Sequence, residues 1–474
     1  MKKYDVAVIG GGIGGLMTAY RLVSNDPSVS VIIVERGNAL ANRKCPATSK
    51  QGCLHCKMCS ITSGYAGAGA FSDGKFNLGT AYGGKLGEEL GEDVANEYIG
   101  YVDDILYSCS DVITDEFGNE SRDYPQIYES NQELKLKCLQ NNLRLLDMNV
   151  RHLGTDRNMR IMGNLINYLA AHGVELTQHC EVLSVESDYS AVGKYLLKIR
   201  DESFGDYEIT ADNVVVATGR GGSKFVSKLC RDYNVDVLSN TVDIGVRVEM
   251  KDAIWREFSD RIYEPKILYK TKTFEDRTRM FCFNKGGLVS AENNNGVITA
   301  NGHSFSDNSK RTENCNFAIL SSINFTAPFD KPTEYVESIS RLANAIGCGN
   351  VLVQRFGDLI RGRRTNEHRL SQNTVFPTLK ATPGDISLVL PHRILTNIIE
   401  TVYALDKVAP GTANDDTLLY GCEAKYYSIK PCHDEHFRIT DGIYLIGDGS
   451  GITRGLSQAG AMGIYVADHI LSQR

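Results

Sequence analysis

The sequence predicts an α/β fold joined to a second domain of α+β character, and three observations predict it. The chain opens on a short apolar strand, YDVAVIG, which runs into the turn GGGIGG and then into LMTAYRLV, spaced as a helix face. Two distant segments, ADNVVVATGRGG (211–222) and DGIYLIGDGSG (441–451), repeat the pattern of a buried strand ending in glycines. Between about 225 and 430 the apolar period shifts to two, as antiparallel strands require.

Composition sets the outer bounds. With 474 residues, 42% of them hydrophobic, the chain has room for two or three domains and a sizeable core. A net charge of −7 leaves no broad cationic surface, so nucleic acid is excluded as a partner class. The run RGRRTNEHR (361–369) is the local exception, readable either as ion pairs on a solvated face or as an anion site. No apolar run approaches the ~18 residues of a membrane span. The start MKKYDVAVIGGGIGG mimics a secretory leader, but glycines break its apolar patch and no cleavage site follows. The expectation is a cytoplasmic protein. Thirteen cysteines, an odd number in a long chain, fit metal or redox chemistry better than a disulfide framework.

The opening segment carries the most specific chemistry. Gly10-x-Gly12-x-x-Gly15 lies between a strand and a helix, and SVSVIIVE then forms a second strand ending on Glu35. Gly10 permits the tight turn, Gly12 lets the backbone approach a pyrophosphate, and Gly15 lets the helix pack close to the strand. The helix N-terminus faces the phosphates and Glu35, next to Arg36, accepts a ribose hydroxyl. This is a Rossmann-type element, and an acid at that position favours FAD or NAD over NADP.

The far end of the chain decides between them. The triplet GxGxxG with its distal acid, ATG at Ala217–Gly219, and GD at Gly447–Asp448 before a glycine-rich helix start resembles the two-dinucleotide-binding-domain (glutathione-reductase-like) flavoprotein superfamily. That resemblance implies one FAD-binding domain assembled from discontinuous segments, with Thr218 and Gly219 at the second piece. It implies that Asp448 bonds the ribityl or pyrophosphate, and that the helix starting near Gly455, Leu456 and Ser457 aims its positive end at the flavin. A helix N-terminus suits the anion of a reduced flavin. The segments RKCP…CLHCKMCSI…GAGAFSDGK, RMFCFNKGG, NGHSF and ALDKVAP…LLYGCEAKYYS sharpen the likeness. Together they resemble a bacterial group described as uncharacterised FAD-dependent dehydrogenases or oxidoreductases, which implies a cofactor and a fold and no particular substrate.

Cys45, Cys53, Cys56 and Cys59 fall within fifteen residues. The two successive x2 gaps fit the thiolate run of a [4Fe–4S] ferredoxin, although the isolated Cys-Pro comes first rather than last. Four thiolates also suit structural zinc, with His55 as a substitute ligand, and a redox-labile or merely buried set is the third alternative. The loop Gly64 to Lys75 follows, nearly free of bulk at Gly67, Ala68, Gly69 and Ser72, so its backbone can run against a flat ring.

The expected organisation is therefore an FAD-binding domain in three parts, 1–87, 151–224 and 431–474, with a cap or insertion at 88–150 and a substrate domain at 225–430. EDVANEYIGYVDDILYS predicts a helix within the insertion; DIGVRVEM, ILYKTKTF, RTRMFCFN, GVITANGHSF and CNFAILSSINF predict strands of the substrate sheet. Candidate catalytic groups are His303, for proton transfer or else a structural histidine, Lys75, and Arg361 and Arg363 for clamping a carboxylate, with Arg364 beside them. Cys282, on an alternating strand, is expected in the core. The function that follows is an FAD-dependent oxidoreductase acting on a small-molecule substrate. No second GxGxxG is present between 230 and 430, so electrons come from the substrate, from a transiently docked NAD(P)H, or from a protein donor or acceptor. A monooxygenase and a flavin-binding redox sensor or electron carrier are the rival readings.

Overall fold

The computed structural model describes all residues except 47–55, 57, 72–73, 130, 147–148, 189–192, 239–240, 263, 295, 305–310, 324, 326–328, 330 and 427–428. The chain divides into two compact units. One comprises Met1–Tyr128, Met148–Leu238 and Tyr427–Arg474; the other comprises Glu129–Asp147 and Ser239–Tyr426. The stretch 88–150 is thus shared between them. The α/β fold class expected from the sequence is the one adopted, with a mixed, partly parallel sheet in the first unit and a largely antiparallel sheet in the second.

In the first unit, Lys2–Ile9 is flanked in parallel by Val31–Val34 and by Gly205–Val216. Glu175–Thr177 extends the sheet beyond Val31–Val34. Along its other edge Gly205–Val216 is long enough to serve two further neighbours: Gly205–Ala211 pair antiparallel with Tyr195–Asp201, and Val214–Val216 pair parallel with Ile443–Leu445. The β-branched runs Val6–Ile9, Val31–Val34 and Val214–Val216 are buried, as strands covered on both faces must be. The helices Ile13–Asn25 and Leu456–Ser472 pack on one face through small residues. Thr18 donates its hydroxyl to the Gly463 carbonyl at 3.1 Å, and a Cβ on Gly463 would stand 2.3 Å from the Gly14 oxygen. The insertion helix forms over Glu92–Ser108, as its sequence predicts, and buries Ala95, Ile99, Val102 and Leu106 in the same core.

The C-terminal helix also carries a titrating histidine, His469. The rings of His436 and His469 stack at 3.7 Å between centroids, with Tyr465, Glu435, Asp434, Arg438 and Tyr444 around them. Burial pushes His469 below the usual imidazole value, and His436 and Arg438 push it further. The unfolded chain therefore takes the proton first. This contribution to stability is fully present above the unfolded value of ~6.5 and is lost as pH falls from there through the lower folded value. The melting temperature should drop between neutral and mildly acidic pH, and His469→Gln should flatten that slope; equal slopes in both proteins would refute the assignment.

In the second unit the central strand Val242–Lys251 is paired antiparallel with Asn314–Ile323 on one side and Leu418–Tyr426 on the other. The sheet continues through Arg277–Asn284 and Ile267–Lys270 to Leu143–Leu145, and on the other side through Leu352–Arg355 to Thr382–Pro383. Period two sorts the faces of the central strand. Val242, Ile244, Val246, Val248 and Met250 enter the core with Trp255, Phe317 and the helices Pro332–Ile346 and His392–Asp406. Asp243, Arg247 and Glu249 alternate with them, all buried and all hydrogen-bonded. The strand expected over ILYKTKTF ends at Lys270. The reason is local: Glu400 accepts from the amides of Lys272 and Thr273, and Glu275 turns the chain at a φ of +54°.

Candidate functional site

The glycines of the first turn have three different surroundings. Gly10 adopts φ +108°, and a Cβ there would stand 2.6 Å from the Ala217 oxygen. A Cβ on Gly15 would stand 2.2 Å from the Gly10 oxygen. Gly12 has an ordinary φ of −74°, and a Cβ on it would meet nothing within 4 Å. Gly10 and Gly15 are therefore small because protein fills the space, whereas Gly12 borders open space. Gly12 caps the helix Ile13–Asn25 with no side-chain hydrogen bond to the first turn, which leaves the helix N-terminus available to an anion.

Glu35 is buried at the end of its strand. Its Oε2 accepts the Gly11 amide at 2.8 Å, and its Oε1 accepts those of Gly37 at 2.8 Å and Gly64 at 2.9 Å. The carboxylate thereby ties the glycine turn to the loop that sequence reasoning placed against a ring. That loop docks on the turn itself: Ala66 donates its amide to the Gly11 carbonyl at 2.8 Å, and a Cβ on Gly67 would lie 3.2 Å from the Gly12 Cα. Gly67–Phe71, including Ala68 and Gly69, forms one short 3-10 turn. Arg36 reaches the Ser63 hydroxyl at 3.3 Å and lies beside Gly221.

Arg43, which sequence reasoning passed over, is a buried cation of this site. It is 3% exposed and donates to the carbonyls of Ser60, Ile61, Tyr65 and Gly67 at 2.6–3.0 Å. Burial pulls its guanidinium down, while Glu35 and Cys59 push it up, with a net lowering. In sequence it is one arginine in ANRKCP, with no pattern to separate it from a surface residue.

The third piece arrives from the C-terminal segment. Gly447, at φ +69°, opens a short turn through Ser450; within it, a Cβ on Gly449 would stand 3.1 Å from the Gly219 oxygen. Burial pushes the Asp448 carboxyl up, opposed by Arg220, the Thr453 hydroxyl at 2.9 Å, and Arg454. Gly455 caps the helix Leu456–Ser472, again with no side-chain bond to its first turn. A further loop missed in the sequence, Thr80–Lys85, closes on this helix start. Lys85 donates its amide to Ile452 and Arg454 donates its own to Gly83. Buried Gln458 accepts from the Leu86 amide and donates to the Tyr82 carbonyl. A glutamine set among small residues at a buried helix start was the available signal.

These residues fit a dinucleotide. Three stretches far apart in sequence converge on the space beside Gly12, and two helix N-termini are left open. The hydroxyls of Thr218 and Ser457 are buried there with no hydrogen-bond partner. Ser72 lies outside the described residues. Lys75 begins the short strand Lys75–Asn77, paired with Val150–His152.

The cysteine cluster does not give a comparable fit. Cys53 and His55 lie outside the described residues, and Cys45, Cys56 and Cys59 are exposed. Among the described residues no three His, Cys, Asp or Glu side chains converge as metal ligands would. Burial raises the Cys59 thiol, but the amides of Ile61 and Thr62, the Thr62 hydroxyl and Arg43 outweigh it and hold it low.

The other catalytic candidates lie in the second unit. His303 ends the strand Val297–His303 and is exposed. Arg363 bonds Asp358 at 2.7 Å and Arg361 pairs with Asp415 at 2.7 Å, so the basic run is an ion-pair set. Asp358 is its centre: burial raises its carboxyl, yet Arg363, the Thr365 hydroxyl and Arg355 bring it below the usual value. Arg364 is exposed beside them.

Comparison with known proteins gives one family match, over residues 241–426, to the family described as FAD-dependent protein, C-terminal domain-like. An uncharacterised protein of Clostridium beijerinckii is 23% identical over 355 residues, covering 68% of this chain and 62% of that protein. The mitochondrial L-2-hydroxyglutarate dehydrogenase of Dictyostelium discoideum is 38% identical over 53 residues, 11% of each chain. The matches thus span less than two thirds of either relative. Among solved structures, the amino acid oxidase NikD superposes with a TM-score of 0.42 at 11% identity, covering 100% of this chain and 95% of that one. Glycine oxidase from Bacillus cereus gives 0.38 at 12% identity, covering 99% and 96%. Aklavinone-11 hydroxylase, solved with FAD and aklavinone, gives 0.38 at 13% identity, covering 98% and 60%.

Proposed function

We propose that this chain is an FAD-dependent oxidoreductase that exchanges a hydride or an electron pair with an organic substrate. The observation that carries the reading is the convergence of Gly10–Gly15, Thr218–Gly219 and Gly447–Ser457 on one open space, lined by unpaired buried hydroxyls and two helix N-termini. The family match at 241–426 supports the same cofactor. In this reading the turn at Gly12 and the first helix hold the pyrophosphate, and Glu35 accepts a ribose hydroxyl with lone pairs its three amides leave free. Asp448 accepts from the ribityl chain. Ser457 donates toward the ring edge from the first turn of the C-terminal helix, whose positive end favours negative charge there. Arg43 and Glu35 together fix the loop Gly64–Gly69 against the turn. Bound FAD supplies the two-electron chemistry, and these side chains hold it, orient it and set its electrostatic surroundings.

The test is the protein purified without oxygen. It should carry a flavin absorption spectrum and release FAD on denaturation. Apoprotein given FAD at about 100 times its Kd should gain ~2.7 kcal/mol. Colourless folded protein whose melting temperature ignores added FAD would end the proposal. Iron, zinc and sulfide assays on the same sample decide whether the four cysteines hold metal.

A further inference from the structure

The short strand Lys75–Asn77 ends on a residue type that strands disfavour. Phe76 enters the core at 1% exposure, so alternation puts Lys75 and Asn77 on the other face. Asparagine in such a place ordinarily bonds nearby backbone through its side chain. Asn77 does not: among the described residues its Oδ1 has no hydrogen-bond partner, although that atom is buried. A buried acceptor without a donor is destabilising, and folds that keep one use it for a ligand or an ordered water.

The loop Thr80–Lys85 shows where this carboxamide lies. The strand packs against the helix Leu456–Ser472. A Cβ on Gly83 would stand 3.7 Å from Asn77 Nδ2, 3.7 Å from Gln458 Nε2 and 3.8 Å from the Gly455 Cα. Asn77 is therefore beside the cap of that helix. Gln458 is satisfied at both ends, by the Leu86 amide and the Tyr82 carbonyl. Ser457 is not. It is 3% exposed, its hydroxyl has no partner among the described residues, and no side chain caps the first turn it belongs to. The glycine loop meets the same helix start, since a Cβ on Gly69 would stand 2.5 Å from Leu456 Cδ2. An acceptor and a set of donors thus border one helix start and leave each other unpaired.

We propose that Asn77 reads the imide N–H of the flavin ring. The inference rests on the flavin reading above and adds to it a residue that sets specificity. The outer ring of an isoalloxazine presents an N–H between two carbonyls, beside a nitrogen that becomes negative on reduction. The carbonyls and that nitrogen call for donors, which the open first turn and the Ser457 hydroxyl supply. The N–H calls for an acceptor, and Asn77 Oδ1 supplies it. A simple anion would engage the donors and leave Asn77 unsatisfied, so the mixed lining selects an imide edge.

The probes are FAD and N3-methyl-FAD, in which a methyl group replaces the imide proton, each titrated calorimetrically into full-length apoprotein. Wild type should bind the methylated flavin at least ~10-fold more weakly than FAD, because the site then holds an unpaired acceptor. Asn77→Ala removes the acceptor and makes room for the methyl group, and should bring the two affinities within ~3-fold, chiefly by weakening FAD. Asn77→Asp keeps an acceptor and should keep the preference. Should Asn77→Ala not fold, Asn77→Ser, too short to reach, is read in its place. Equal binding of the two flavins by wild type overturns the proposal. So does an equal loss for both in Asn77→Ala, the mark of a side chain that only supports the strand. Binding of neither flavin by folded wild type ends the flavin reading itself, and this assignment with it.

Discussion

Gly12→Val should fold and fail to bind FAD, whereas Gly15→Val should not fold at all. The two glycines are three residues apart in one motif, and the fold uses them for opposite reasons. A side chain at Gly15 would overlap the Gly10 carbonyl 2.2 Å away, and that carbonyl belongs to a turn wedged against Ala217. Neither backbone can retreat, so the overpacking should exceed the usual 1–3 kcal/mol range. At Gly12 the backbone has a common φ and a Cβ meets no protein atom. Valine there costs about 1 kcal/mol as a poor helix cap, while its methyl groups fill the space a pyrophosphate needs. The expected result is a loss of at least ~100-fold in FAD affinity, about 2.7 kcal/mol, with a melting temperature within a few degrees of the apoprotein. Titration calorimetry and thermal melts on both variants check it. Unimpaired FAD binding by Gly12→Val would move the cofactor elsewhere.

Arg43→Met should be among the most damaging single changes in the first unit. Methionine matches the length of the side chain and leaves four carbonyls, those of Ser60, Ile61, Tyr65 and Gly67, without their donor. Hydrogen bonds from a charged donor contribute ~1.5–3 kcal/mol each, and relaxation of the loop recovers part of the loss, so a net of about 3–5 kcal/mol is expected. Denaturant unfolding measures the total. Hydrogen exchange locates it: the Ala66 and Gly67 amides, bonded to Gly11 and Gly64, should lose protection first. Arg43→Lys should recover only part, because an ammonium cannot reproduce the guanidinium fork. A cost below about 1 kcal/mol for Arg43→Met would show that the loop stands without it.

Arg43 also marks where the sequence stops being readable. Periodicity and glycine chemistry are local, so the helix Glu92–Ser108, the central strand Val242–Lys251 and the three glycine-rich strand ends were all visible in one dimension. Partner identity is not local. Arg43 and Arg363 look alike as letters; one is buried against carbonyls and the other is tied to Asp358 from the surface. The alternation of RTRMFCFN implies an inward-facing cysteine, but an extra residue in the ladder re-aims Cys282, and no period records a bulge. Gln458 and the Thr80–Lys85 loop meet across 376 residues at the Tyr82 contact, a contact that side-chain composition does not encode.

The place of Ile443–Leu445 in the parallel sheet has a consequence for how this molecule comes into being. On the ribosome, Val214–Val216 emerge more than two hundred residues before the strand that will lie beside them. The unit whose sequence comes first is therefore completed last, with an unsatisfied edge until Ile443–Leu445 is made. A translation stop or a protease cut between residues 427 and 442 would yield a chain with its antiparallel sheet encoded in full and its first unit missing the strand Ile443–Leu445 and the helix Leu456–Ser472.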